Sequence, residues 1–313
     1  MIEGLVERAG GDDEDAIEEL VAIADSEPGR LGQYHARMLQ LDVLWPGKLY
    51  RGAGEGVVSD VIAQVEAGQE LGRLNHLLLV LAHSGHPLAE GALRRWAEAP
   101  APGFEALHVG PLAYAREGGW SVDADGRRRE LCAGVAYEWL IRDAAPRADR
   151  PGCPWCRSPL WRAAELDAGE TDALRHTGWS GRLTVETCAF CSCYTTLYSR
   201  VQPDGGAAWW DGNARPDYLG DGEAEEPPNR VAVAGPRRPG PYQASAWGTG
   251  GSTLGGHPDW IQDAEHPDCP ECGRAMDYVG LIGGADLDEY GEGAYYIHLH
   301  APCGFAAVNY QQS

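Results

Sequence analysis

Residues 266–282, HPDCPECGRAMDYVGLI, and residues 295–310, YYIHLHAPCGFAAVNY, carry two short hooks that decide how the second half of this chain folds. Cys269 and Cys272 stand at C-x2-C spacing, and His300 and Cys303 repeat that spacing 27 residues further on. Two ligating side chains three positions apart on a tight turn can face one ion, at about 2.3 Å from each sulfur, without strain. The same layout occurs earlier. GCPWCRSPLW (152–161) holds Cys153 and Cys156, and RLTVETCAFCSCY (182–194) holds Cys188 and Cys191 after 31 intervening residues. Each piece reads knuckle, strand, variable loop, strand, knuckle, strand, with an aromatic after the last hook (Tyr194; Phe305). This is the order of a zinc ribbon with knuckles at the tips of β-hairpins, and its recurrence implies an internal duplication.

Four soft N/S ligands suit Zn2+ and close its shell, so both ions are expected to be structural. The expected ligands are Cys153, Cys156, Cys188 and Cys191 for one ion, and Cys269, Cys272, His300 and Cys303 for the other. A thioredoxin-type dithiol would stand alone at a helix start, whereas here each C-x-x-C has a partner. An iron–sulfur cluster would use the same cysteines, but the histidine and the short knuckles favour zinc. His298 shares a strand face with His300 and is the alternative ligand, and Cys193, two past Cys191, is a competitor. Cys132 reads as a small buried hydrophobe.

Outward from the hooks, period-2 alternation runs through residues 182–187, 192–201, 275–282, 294–300 and 306–310. Between them lies GDGEAEEPPNRVAVAGPRRPGP (220–241), so rich in Pro, Gly and Glu that residues 211–250 are expected to be a linker or loop. Residues 1–145 read differently. Ile17, Leu20, Val21 and Ala24 mark one helical face, with Asp12 or Asp13 as N-cap and Pro28-Gly29 as a stop. Further helices are expected over 31–44, 57–65, 74–82, 88–97 and 128–142, the pair split by Gly85-His86 forming a hairpin. That pair echoes the one beginning near Gln33 at a spacing of about 40 residues, the period of HEAT-type repeats. A short α-solenoid and a plain bundle of amphipathic helices are the two readings.

The fold class expected is therefore α+β: a helical, HEAT-like domain (1–145), then a β-rich domain with two zinc-ribbon-like units (151–210 and 251–313).

The stretch Gly255, Gly256, Pro258, Trp260 and Gln262 ahead of the Cys269 knuckle, with the Tyr-Gln-Gln tail (310–312), resembles the YwqG-like family of bacterial cytosolic proteins. The likeness covers about the last 65 residues, and it departs at His300, where that family's pattern has cysteine. It implies no particular activity. It suggests an immunity or partner-binding role, because some members lie beside secreted toxin systems.

Composition narrows the function classes. The 313 residues carry 47 acidic and 25 basic side chains, a formal charge of −22, and Lys48 is the only lysine. Such a chain repels phosphate backbones and anionic membranes. The segment 255–292 carries ten Asp or Glu against Arg274 alone, which weighs against a nucleic-acid-binding ribbon. No basic n-region with an apolar h-region opens the sequence, so a cytoplasmic site with reduced thiols is expected. No G-x-S-x-G, P-loop, H-E-x-x-H or dinucleotide fingerprint is present, and the Gly-rich run 248–256 lacks the lysine that phosphate cradling needs.

The expected function is a zinc-stabilised interaction protein without catalysis, with a protein partner, a basic one suiting the charge, steered electrostatically. Trp96, Trp209, Trp210 and Trp247 are candidate anchors or core residues. A metal-dependent enzyme using His257, Asp259, Asp263, His266 and Asp268 is the alternative, and a nucleic-acid binder the third reading.

Overall fold

The computed structural model describes residues 1–145, 150–220 and 224–313 and divides into two units, Met1–Arg129 and Glu130–Ser313. The first is helical: α1 (Ile2–Ala9), α2 (Glu14–Ser26), α3 (His35–Gln40), α4 (Glu55–Glu66), α5 (Leu71–Ser84) and α6 (Pro87–Glu98). Asp13 caps α2, its carboxylate accepting from Ala16 N at 3.0 Å, which satisfies one of the donors a helix start leaves open. α5 buries Leu74, Leu77, Leu78 and Leu81, and α6 buries Ala89, Ala92, Leu93 and Trp96. Each such leucine contributes roughly 1.5–3 kcal/mol of hydrophobic stabilisation. Gly85 ends α5 at φ 66°, and Pro87 opens α6 in the first turn, where its missing N–H costs nothing.

The helix expected over 31–44 is broken into a 3-10 turn, Pro28–Leu31, and the short α3. The earlier helix pair is thus 6 and 12 residues long, against 14 and 12 for α5 and α6. A small hairpin, β1 (Trp120–Val122) with β2 (Arg128–Glu130), follows. Trp120 is fully buried and donates to the Ala82 carbonyl at 2.9 Å.

The second unit is one mixed sheet curled into a near-closed barrel. Its strands are β3 (Ala136–Asp143), β4 (Trp161–Asp167), β5 (Arg182–Thr187), β6 (Leu197–Val201), β7 (Ala207–Trp209), β8 (Arg230–Arg237), β9 (Thr253–Gly255), β10 (Asp277–Gly283), β11 (Ala294–His300) and β12 (Phe305–Gln311). They lie in the order β5-β4-β8-β3-β9-β10-β11-β12-β6-β7. All neighbours described are antiparallel except β4 and β8. The ends of the sheet meet where Arg182, opening β5, bridges Asp204 beyond β6 and donates its N–H to Pro203 O at 2.8 Å. The interior is filled by Trp139, Trp161, Leu183, Val185, Val279, Ile297, Leu299 and Val308. Gly280 is required there: a Cβ would lie 2.5 Å from the Trp139 ring.

Two sequence expectations are corrected. Residues 128–142, expected as a helix, form β2 and β3. Apolar residues at Leu131, Val135 and Trp139 fit a helical face, but a short apolar run fits a buried strand as well, and Tyr137, Trp139 and Ile141 favour one. Residues 211–250, expected as a linker or loop, contain β8, which lies inside the sheet between β4 and β3; residues 221–223 of that stretch fall outside the described residues. Pro236 hid this strand. It sits at a bulge, between the pairs Tyr137–Arg237 and Trp139–Ala234, where no ladder N–H is needed.

The two ribbon-like units are therefore not separate modules. β8, which precedes the second, pairs with β4 of the first, and β6 of the first pairs with β12 of the second.

Candidate metal centres

The duplication is legible atom by atom. Ahead of each first knuckle the chain forms an isolated bridge, Gly152 with Pro159 and Asp268 with Ala275. Within each, the first cysteine N–H donates five residues ahead, Cys153 to Ser158 O and Cys269 to Arg274 O, at 2.8 and 2.7 Å. The residue after the second cysteine takes a left-handed backbone, Arg157 at φ 67° and Gly273 at φ 71°. A bulge then falls at the same place in the following strand, between Arg162 and Ala164 in β4 and between Tyr278 and Gly280 in β10.

This shared geometry turns the side chains of each knuckle pair toward one point. Among the described residues, Cys153, Cys156, Cys188 and Cys191 form one group and Cys269, Cys272, His300 and Cys303 another, each with all its ligand atoms within 4.8 Å of one another. Sulfurs on a tetrahedron of about 2.3 Å radius stand about 3.8 Å apart. Cys153 and Cys191 Sγ are 3.8 Å apart, Cys156 and Cys188 Sγ 3.5 Å, and Cys272 Sγ lies 3.6 Å from His300 Nε2. Both donor sets fit a tetrahedral metal ion, and two such clusters are consistent with two ions.

Hydrogen bonds shared with Cys188 and Cys191 draw the Cys153 thiol down, and the sharing with Cys153 pushes Cys188 up. Burial, then the neighbouring Cys272 and Cys269 thiols, push Cys303 up to about 12. An ion that replaces the shared protons removes this conflict, because metal-bound thiols are deprotonated outright.

The centres differ in cover. In the four-cysteine centre Cys153, Cys188 and Cys191 are buried and Cys156 half-buried, packed by Trp155, Phe190, Trp209 and Leu219. Trp155 meets Trp209 edge to face, centroids 5.3 Å apart. In the second centre Cys269 and His300 are buried, Cys303 is half-buried and Cys272 is exposed. The position equivalent to Trp155 is Glu271, which turns outward to Arg200 at 2.8 Å. Arg200 also donates to Cys303 O and lies 3.9 Å over the Phe305 ring.

The other sequence candidates lie elsewhere. His298 is not in the second cluster: it is fully buried, donates from Nε2 to Asn309 Oδ1 at 3.1 Å, and lies parallel to the Trp260 ring. Burial pushes its pKa down to about 3, so it is a neutral imidazole. One strand face carries both histidines, but the segment crossing over that face lays Trp260 and His266 on His298 and brings the knuckle to His300. Cys193 is exposed, outside the first cluster, and donates to Ala189 O. Cys132 is buried with Tyr278 and Leu281.

The His/Asp loop is dispersed. His257 packs on Tyr242, His266 is buried among aromatics, and Asp263 and Asp268 are exposed. Among the described residues these five form no metal-holding group. Trp96 is core, Trp209 and Trp210 pack against the two clusters, and Trp247 is 54% exposed. Sequence reading missed Arg200 and Glu271. The Trp-to-Glu difference between CPWC and CPEC was its available signal.

No helix among the described residues is long and apolar enough to cross a membrane. No protein-family model and no solved structure matches the chain. It is 31% identical over 249 residues to an uncharacterized protein, YpfL, of Salmonella typhimurium. The match takes in 76% of this chain and 58% of that protein, so the chain spans less than two thirds of its relative's length.

Proposed function

We propose that this chain is a zinc-stabilised interaction protein whose two metal ions are structural, held by Cys153, Cys156, Cys188 and Cys191 and by Cys269, Cys272, His300 and Cys303. The observation that carries this is the pair of complete four-donor sets on duplicated knuckles. Four protein ligands leave no position for water or substrate, unlike a catalytic zinc site with three. Zinc supplies folding energy at such sites, and here each ion ties a knuckle to the strand that follows its hairpin.

Reduced thiols are required, so the site of action is one where thiols stay reduced, the cytoplasm. The helical unit is read as a HEAT-like scaffold offering a partner surface, and the charge of −22 favours a basic protein partner. The resemblance to YwqG-like proteins over residues 255–262 and 269–312 supports an immunity- or toxin-partner role of this kind. The exposed Trp45 of the helical unit, and Tyr194, Tyr218, Trp247 and Tyr290 of the barrel unit, are side chains such a partner would engage. Charge of this sign disfavours nucleic acid, and dispersal of His257, Asp259, Asp263, His266 and Asp268 disfavours the enzyme reading.

Zinc K-edge absorption on the purified protein tests the structural assignment. The expected spectrum averages one four-sulfur shell and one shell of three sulfurs and a nitrogen, with no water oxygen. A bound oxygen in either shell would move the reading to catalysis. Partner binding, once a partner is in hand, should weaken steeply as salt rises; an affinity unchanged by salt would remove the electrostatic part.

A further inference from the structure

The second centre differs from the first in one donor, His300 where the first has Cys188, and in its cover, and the cover has a chemical consequence. In the first, Trp155, Phe190 and Trp209 pack against the cysteine cluster and Cys156 is half-buried. In the second, Glu271 replaces the tryptophan and pairs with Arg200, and although Tyr198 and Trp210 pack on the side of Cys269, Cys272 is exposed and Cys303 half-buried. Two accessible sulfurs therefore belong to one centre, within 4.8 Å of each other. Oxidation of cysteine follows thiolate character and exposure. Zinc holds these sulfurs as thiolates, and exposure admits the reagent.

We propose that the Cys269–Cys272–His300–Cys303 centre is an oxidant-responsive zinc site, in which a peroxide converts Cys272 and Cys303 to a disulfide and the ion leaves. The inference rests on the zinc reading above. Cys272 Sγ attacks one peroxide oxygen, the O–O bond breaks, and hydroxide departs, leaving a sulfenic acid. Cys303 Sγ then attacks that sulfur, forming the S–S bond and releasing a second hydroxide. Two protons from solvent make two waters, so two thiolates have lost two electrons to one hydrogen peroxide. Cys269 and His300 remain, and two donors do not hold zinc against chelation.

The ion's loss has a defined mechanical effect. Residues 256–276 cross the face of β10–β12 that carries Tyr278, Tyr296 and His298, all of them fully buried. The crossing segment is pinned upstream, where Ile261 N donates to Tyr296 OH and Gln311 Nε2 donates to Asp263 O. Downstream it is held by Thr196 Oγ1 donating to Glu265, Tyr198 OH donating to Asp268 O and Arg200 pairing with Glu271, and by the Cys269–Cys272 knuckle itself. Release of zinc removes the knuckle's tie and leaves those contacts, so the loosening is centred on residues 269–276 while the barrel interior stays packed.

The test uses the intact, purified protein carrying its zinc. Hydrogen peroxide is added with a chromophoric zinc chelator, and cysteine oxidation is mapped by peptide mass spectrometry. One equivalent of zinc should be released about tenfold faster than the other, together with a Cys272–Cys303 disulfide and faster hydrogen exchange over residues 269–276. Glu271→Trp, which gives the second knuckle the cover of the first, should slow that release toward the rate of the first centre. Release of both ions at one rate, earlier oxidation of Cys153 or Cys156, or loss of zinc with Cys272 unmodified would each overturn the inference and leave the structural-zinc reading standing. A protein that carries no zinc before peroxide is added overturns that reading, and this inference with it.

Discussion

The two halves of the barrel unit repeat one design with opposite surroundings. Bridge, knuckle hydrogen bond, left-handed residue and strand bulge recur at matching positions around Cys153–Cys156 and Cys269–Cys272. The first copy roofs its centre with Trp155, Phe190 and Trp209, and its left-handed residue is Arg157. The second leaves Cys272 open beside Glu271, and its left-handed residue is Gly273. What is shared between the copies is the geometry that turns side chains inward. What differs is the exposure of the cysteines and one donor, His300 standing where the first copy has Cys188.

The largest expected effect breaks the first copy. Cys188→Ser removes a fully buried ligand and leaves a zinc site without its shell, and structural zinc contributes on the order of 10 kcal/mol to folding at such sites. Circular dichroism should show the barrel unit losing its cooperative melt. Cys272→Ser, at the open centre, should lose one zinc equivalent and lower the melt by less. Equal losses from the two substitutions would mean the centres are not ranked by burial.

A smaller effect exchanges the covers. Trp155→Glu should leave the first centre loaded but speed its loss of zinc to a chelator by about tenfold, since exposure governs thiolate access. An unchanged rate would show that Trp155 does not shield Cys156. Smaller still is the backbone difference. Arg157 holds a conformation that costs an L-residue roughly 1–2 kcal/mol, so Arg157→Gly should stabilise the protein by up to about 1 kcal/mol. Gly273→Arg should cost about as much, although a Cβ there meets nothing within 4 Å. Urea unfolding midpoints read both, and a null result in each would remove the strain from the comparison.

The two four-residue clusters were legible because C-x2-C spacing is a local signal, and the hairpins because RLTVET and AYYIHLH alternate with period two. The way the copies interlock was not. Which strand pairs with β4 depends on β8, about 70 residues away in sequence, and Pro236 and the surrounding glycines disguise that strand. β3 was hidden for another reason: Leu131, Val135 and Trp139 satisfy a helix pattern, while burial within the sheet decides for a strand. His298 and His300 looked interchangeable on one strand face. Only the packing of Trp260 and His266 separates a core imidazole from a metal-facing one.

Metal stoichiometry by native mass spectrometry, on protein purified without added metal or chelator, tests the central claim most directly. Two zinc ions per chain, falling to one in Cys272→Ser, are the expected result. A chain mass with no bound metal would contradict the assignment of both centres, and zinc retained in full by that variant would contradict the second.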